Sequence, residues 1–490
     1  MALDAKTRWY ALIVLCAGTL MIVLDSTIVN VALPSIRGDL DFSETSLAWV
    51  VNAYLLTFGG FLLLGGRLGD LYGHRRLFLG GIALFTIASL VCGLSTSQGM
   101  LIAARSVQGL GGAVASAVSL SLIMNLFTEP ADRAKAMGVF GFVASGGGSI
   151  GVLLGGLLTE ISWHWIFLVN IPIGFVVVFA ALRLLPAGEA HDAGGKLDVG
   201  GAVTVTAALM LAVYAIVNGN QEGWLSLQTL GLLAVAVVIL GVFLAIESRV
   251  ASPLMPLGLF KSRNLATANV VGVLWAAAMF AWFFISALYL QLVLGYKPLY
   301  VGLAFLPGNV IMGILSVGVS ARLVMRFGIK PPLASGLLIA SIGLLLLART
   351  PVDGNYWIDV FPSMCLLGFG AGIAFNPVLL AAMSDVKPEQ SGLASGIVNT
   401  SFMMGGALGL AVLASLAASR HDTLLGEGHS DAAALTGGYH LSFLVGALFA
   451  IAAAALGALV LRTVLQPEGA HSDGDGGQMP AEARATAEVA

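Results

Sequence analysis

The sequence predicts an all-α integral membrane protein of fourteen transmembrane helices, built as two six-helix bundles with two further helices inserted between them. Three observations carry this expectation. Of the 490 residues, 58% are hydrophobic and only 10% charged, against about 25% charge in a soluble chain. Apolar runs of about 20 residues, the length that crosses bilayer hydrocarbon, recur along the whole chain. Two patterns rich in glycine then repeat at almost one offset.

The first apolar run, Trp9 to Leu33, follows Lys6 and Arg8. It is too long for a signal-peptide core and suits a first spanning helix. Spans 1 to 6 are expected at about 11–33, 47–66, 77–96, 100–124, 137–159 and 165–185. Their breaks include GGRLGDLYGHRR after span 2 and TEPADRAK after span 4. Spans 7 and 8, at about 198–217 and 227–246, follow AGEAHDAGGKLD and are parted by GNQEGW. Spans 9 to 14 are expected at about 266–290, 299–320, 332–348, 357–381, 394–418 and 441–464, with RFGIKPP after span 10 and SDVKPEQSG after span 12. Proline, glycine and charge are the ordinary punctuation of such breaks. The expected organisation is therefore 1–185, first bundle; 186–264, linker with the two inserted helices; 265–465, second bundle; and 466–490, a small polar tail read as disordered and cytoplasmic.

Charge orients these spans. With the N-terminus inside, eighteen of the 23 Lys and Arg residues fall in cytoplasmic segments and four, Arg37, Lys297, Arg349 and Arg420, in outer loops. Only Arg105 is left inside a span. The bias predicts a multi-pass cell-membrane protein with both termini cytoplasmic and an even helix count.

Composition also bounds function. A net charge of −3 gives no electrostatic footprint for nucleic acid. Cys16, Cys92 and Cys365 lie in apolar runs and read as packed thiols, and no histidine has zinc-ligand spacing. No G-x-x-x-x-G-K-[ST] is present, so no P-loop ATPase is expected on this chain. An ion gradient is the remaining ordinary energy source; no cofactor, metal or enzymatic chemistry is expected.

The repeat joins Arg67/Arg322, Leu68/Leu323, Tyr72/Phe327, Gly73/Gly328, Arg75/Lys330 and Gly81/Gly336 at an offset of 255. Gly138, Gly147, Gly148 and Gly151 recur as Gly396, Gly405, Gly406 and Gly409 at 258. These offsets carry span 1 onto span 9. Parallel repeats of this kind are a transporter arrangement, with substrate bound near the midplane between halves that rock.

Asp25 is the one carboxylate set well inside a span, at a cost of roughly 3 kcal/mol at a helix centre. Gly18, Met21 and Ala32 share its face, which suits a cavity; Asn30 points elsewhere and is expected to bond a neighbouring helix. Asp25 reads either as a titratable site or as half of a structural ion pair. Arg105, with Gln108, Gly109 and Gly112 on its face, either fixes polar groups across a helix interface or helps to set the proton affinity of Asp25. The second repeat carries neither charge: Asp25 falls opposite Phe280.

Between spans 2 and 3, Asp70 with Arg75 and Arg76, around Gly69 and Gly73, reads as a conformational charge latch or as a solvated positive loop. Gly147, Gly151 and Gly155 form a close-packing face that also suits a hinge; Gly405 and Gly409 are its repeat counterparts. Candidate cavity residues are Met21, Asn52, Tyr54, Gln108, Trp275, Met279, Phe280, Phe283, Asn376 and Asn399, the aromatic and Met side chains suiting bulky apolar ligands.

LDSTIVNVALPSI, GRLGDLYGHRR, RSVQGLGGA, SWHWIFLVNIPIG and GLASGIVNTSFMMGGALGLAVL together resemble motifs of the major facilitator superfamily, and specifically of its fourteen-helix drug:proton antiporters of the EmrB/QacA type. The resemblance covers about residues 9–465. It implies the major facilitator fold, Asp25 as the proton-linked acid, Arg105 as its helix 4 partner, and Asp70, Arg75 and Arg76 as a gate. One departure is Val152, where the helix 5 motif usually has proline after glycine.

The expected activity is proton-driven efflux of small lipophilic or cationic compounds by alternating access. Lipid, protons and a small-molecule substrate are the expected partners, with a monomeric transport unit. Alternatives are a proton symporter importing a nutrient, an exporter of an endogenous metabolite or siderophore, and a membrane-embedded enzyme or sensor. Few midplane polar side chains and no clustered acids or metal ligands speak for efflux.

Overall fold

The computed structural model describes residues 4–186, 198–250, 253–384 and 391–462. Every regular element among them is helical. Helix α1 (Ala5–Leu40) opens on Asp4, whose carboxylate accepts the Thr7 N–H at 3.2 Å. Pro34, read from the sequence as the end of the first span, lies inside this helix; its φ is helical by construction, and only one N–H is lost. A single turn, α2 (Glu44–Leu47), precedes α3 (Trp49–Tyr72). Then α4 (His74–Gly93) reverses the chain at Gly73, whose φ of 93° is open to glycine and strained for other residues. The first group closes with α5 (Gln98–Leu126), α6 (Pro130–Ile161), the turn α7 (Trp165–Leu168) and α8 (Asn170–Leu184).

The pair of helices expected as an insertion forms the hairpin α9 (Val199–Glu222) and α10 (Leu227–Glu247), capped by Asp198 and Ser226. After a 3₁₀ turn at Leu257–Lys261 come α11 (Arg263–Leu288), α12 (Pro298–Ile314), α13 (Ser320–Phe327), α14 (Lys330–Leu347), α15 (Phe361–Met383), α16 (Ser391–Gly426) and α17 (Asp431–Leu459). Three π-helical turns, Tyr289–Val293, Leu315–Val319 and Tyr356–Val360, adjoin α11, α12 and α15. Gly328, φ 77°, turns α13 into α14 as Gly73 turns α3 into α4.

Among the described residues, twelve helices are long and apolar enough to cross a membrane. The described apolar stretches Ile150–Ile161 of α6 and Pro298–Ile314 of α12 are shorter; the second is cut by its π turn. The expected count of fourteen thus holds in part. The expected disordered tail, 466–490, lies outside the described residues.

Packing repeats along the chain. Helix α1 lies on α6, α3 on α5 and α4 on α5; α11 lies on α16, α12 on α15 and α14 on α15. Lipid tails are as apolar as leucine, so helices hold together here by close approach rather than by escape from water. Glycine supplies that approach at matching places. A Cβ on Gly81 would meet Ala115 N at 2.7 Å and Gly111 O at 2.9 Å; on Gly336 it would meet Gly370 O at 2.8 Å and Ala374 N at 2.9 Å. Between the two groups, α6 meets α12 and α3 meets α16. Helix α9 packs on α3 and α16, while α10 leans on α9 with most of its surface outward.

Candidate functional site

Asp25 is 1% exposed and Arg105 is fully buried. The acid does not open onto a cavity, as its small-residue face suggested; it is enclosed by α1, α4, α5 and α8. Arg105 Nη1 donates to Asp25 Oδ2 at 2.5 Å and to Gln108 Oε1 at 2.7 Å, and its Nε donates to Val50 O at 2.9 Å. Gln108 Nε2 donates to Asp25 Oδ1 at 2.7 Å and to Ser89 Oγ at 2.6 Å. Asn170 Nδ2 reaches the same two oxygens, at 3.1 Å and 3.2 Å. Cys92 Sγ donates to Gln108 Oε1 at 3.7 Å. The guanidinium lies over the Tyr54 ring, 4.4 Å from its centroid, and 5.6 Å from that of Phe167, a cation–π enclosure that is strongest when water is excluded.

Local sequence explains the convergence. Arg105 and Gln108 are three residues apart on α5 and so share a face. Ser89 and Cys92 have the same spacing on α4. Gly109 lets α3 come close: a Cβ there would stand 2.5 Å from Tyr54 O. Asn170 and Ser89 were not among the residues singled out from sequence. The signal was present in SWHWIFLVNIPIG, a lone amide in an apolar run, but nothing local gives its partner. Asn30, expected to bond a neighbouring helix, instead donates to Ser26 O and Thr27 O of its own, at 3.4 Å and 3.3 Å.

The candidate cavity residues fall into three groups. Met21, Tyr54, Gln108 and Trp275 are buried, and Gln108 belongs to the Asp25 network rather than to a cavity wall. Asn52 is fully buried with neither amide atom hydrogen-bonded, and the Tyr54 hydroxyl and Trp275 Nε1 are likewise unpartnered. Met279, Phe280 and Phe283 are half-buried; Phe280 packs on Gly406 and Phe402, and Phe283 stacks on Phe305 at 5.4 Å. Asn376 donates to Ser316 O at 2.6 Å, and Asn399 is exposed. Asn309 and Ser286, both buried with unpartnered polar atoms, join the unsatisfied groups of the second repeat. A groove of about 660 Å³ between α14 and α17, lined by Arg349, His440 and leucines, lies outside all of these.

At the loop between α3 and α4, Arg75 Nη2 donates to Leu182 O at 2.6 Å, and Arg76 is exposed. Gly69 sits against Val118 and His74. The side chain of Asp70 lies outside the described residues. Gly147, Gly151 and Gly155 face Val23, Leu24 and Ile28 of α1, while Gly405 and Gly409 face Val273 and Ala277 of α11. Helix α6 runs unbroken through Val152, whose carbonyl stands 2.7 Å from where a Gly302 Cβ would be.

Residues 15–410 match the family model described as Major Facilitator Superfamily. The chain belongs to the major facilitator superfamily. It is a multi-pass membrane transporter, and not an enzyme. It is 38% identical to the puromycin resistance protein pur8 of Streptomyces alboniger, over 94% of this chain and 90% of that one. It is also 38% identical to the cephamycin export protein CmcT of Amycolatopsis lactamdurans, over 92% of each. Among solved structures, the inward-facing, unoccupied bacterial homolog of the human lysosomal transporter Spinster shares its fold, with a TM-score of 0.65 at 16% identity over 94% of this chain and 98% of that one.

Proposed function

We propose that this superfamily member exports small lipophilic or cationic compounds in exchange for protons, with Asp25 as the acid that carries the proton. The observation that carries this reading is the Asp25 network. Three side chains, Arg105, Gln108 and Asn170, donate N–H bonds to one buried carboxylate. A proton arriving at Asp25 removes the charge that holds Arg105. Breaking a buried ion pair costs about 3–5 kcal/mol, so protonation and a shift of α1 against α5 occur together. That linkage is what an exchanger needs.

Fourteen spans in two six-helix bundles, 1–185 and 265–465, with 186–264 between them, fit the repeated packing. Both termini face the cytoplasm of the cell membrane, as the arginine and lysine bias supports. The side opposite the Gly73 turn is closed in this state. Gln291 Nε2 donates to Val31 O at 2.8 Å, and Gly156 of α6 presses on Pro298 O and Leu299 of α12. Cargo then enters from the cytoplasm or inner leaflet while Asp25 is charged, and leaves outward once a proton takes Asp25. Aromatic and Met side chains of α11 supply apolar contact, and the unpartnered Asn52, Trp275 and Asn309 atoms supply polar contact for it. A monomer is the transport unit.

Each charge moved inward yields about 2.3 kcal/mol per 100 mV, enough for roughly a 50-fold gradient. The test uses inside-out vesicles and a compound panel including puromycin and a cephamycin. Asp25→Asn binds compound but accumulates none against a gradient. Undiminished pH-driven uptake by that variant overturns the assignment. The panel also separates broad efflux from export of one metabolite, which the cephamycin exporter's name favours.

A further inference from the structure

The inserted hairpin carries two acids that the mechanism above leaves unused. Asp198, the N-cap of α9, and Glu247, the last residue of α10, are 4% and 3% exposed. One oxygen of each is committed to backbone. Asp198 Oδ1 accepts the Gly201 N–H at 2.7 Å, and Glu247 Oε2 accepts the Met255 N–H at 3.0 Å. The remaining oxygens, Asp198 Oδ2 and Glu247 Oε1, are buried with no hydrogen-bond partner among the described residues. They converge on one point: a Cβ placed on Gly201 would stand 2.5 Å from the first and 2.8 Å from the second.

Described basic groups near them in the fold are Arg67 at the end of α3, which is engaged in an interaction of its own, Arg249 just beyond α10, and Lys261 and Arg263 at the foot of α11; Lys196 lies outside the described residues. Among the described residues none of these forms an ion pair with Asp198 or Glu247. The packed stretch of α16, Ala394–Met404, carries no charge. Among the described residues no cation pairs with either carboxylate, and two carboxylates enclosed at this range repel strongly. One proton held between them removes a charge and gives both orphan oxygens a hydrogen bond.

We propose that Asp198 and Glu247 form a second proton-binding site, a single hydron bridging Oδ2 and Oε1 and fastening the foot of the inserted hairpin. The foot touches both repeats. Ala202 and Leu254 pack on Leu64 of α3, and Val205 and Phe243 pack on Met404 of α16 beside Met255. Loss of the hydron sets two like charges against each other and frees the segment after α10 from the seam between α3 and α16. The site needs neither Asp25 nor a transported compound, so it stands apart from the exchange mechanism.

The full chain in lipid nanodiscs, without substrate, is examined by infrared difference spectroscopy around neutral pH. Wild type gives the carbonyl band of a protonated carboxylic acid. Asp25→Asn retains it. Asp198→Asn and Glu247→Gln each remove it, because the acid that remains no longer faces a second negative charge. Amide exchange at Met255 rises several-fold as the wild-type band titrates away. Both replacements keep the acceptor used by the backbone, and Asn caps a helix as well as Asp; were Glu247→Gln unstable, Asp198→Asn alone decides. A band that survives both substitutions, or one abolished by Asp25→Asn, overturns the proposal.

Discussion

The chemistry at Asp25 depends on groups far from it in sequence. Three N–H donors from two helices reach its two oxygens, and Ser89 ties two of those donors together. Asn170 is the donor whose contribution is most separable, because it holds no charge. Asn170→Ala removes a hydrogen bond to a charged group, worth about 1.5–3 kcal/mol. Thermal unfolding in detergent is expected to fall accordingly, and transport driven by a pH gradient is expected to drop while compound binding persists. Unaltered coupling in a stably folded Asn170→Ala would remove it from the proton site. Asp25 and Arg105 were legible as a pair because each is a lone charge in an apolar run. Asn170 was not, since an amide in a helix has many ways to be satisfied.

Among elements, the decisive feature is backbone contact at glycine. Helix α16 approaches α11 so closely that a Cβ on Gly409 would stand against the Cα of Ala277. Backbone cannot yield as a side chain can. Gly409→Leu is therefore expected to destabilise the α11–α16 pair by about 1–3 kcal/mol through overpacking, read as a lower unfolding temperature of the purified protein. Gly313→Leu, where nothing lies within 4 Å of a Cβ, is the matched control. The repeat read at offsets near 255 predicted that such crossings recur, and Gly81 and Gly336 do meet equivalent backbone. Helix ends were less legible. Pro34 is carried through α1, and π turns interrupt or extend three helices; at one of them the Ser316 carbonyl is taken by Asn376 of α15, a partner no local pattern names.

For the whole molecule, closure opposite the Gly73 turn rests on α6 against α12 and on the Gln291–Val31 bond. Gly302→Leu places a side chain where Val152 O already lies 2.7 Å from a Cβ. It is expected to hold that face open. The check is faster labelling of a Ser286→Cys reporter by an impermeant maleimide from outside, together with lost transport; labelling at the parental rate counts against this gate.

Composition and the spacing of apolar runs determined by themselves that this chain lives in a membrane and roughly where it crosses. Hydrocarbon imposes those features on every segment separately, so each segment reports them. Tertiary structure alone decided that Asp25 is enclosed rather than open to a cavity, that Gln108 and Asn170 serve it, and that two acids of the inserted hairpin face each other. A hydrogen bond between helices depends on their relative rotation and depth, and those are fixed only when all the helices pack together.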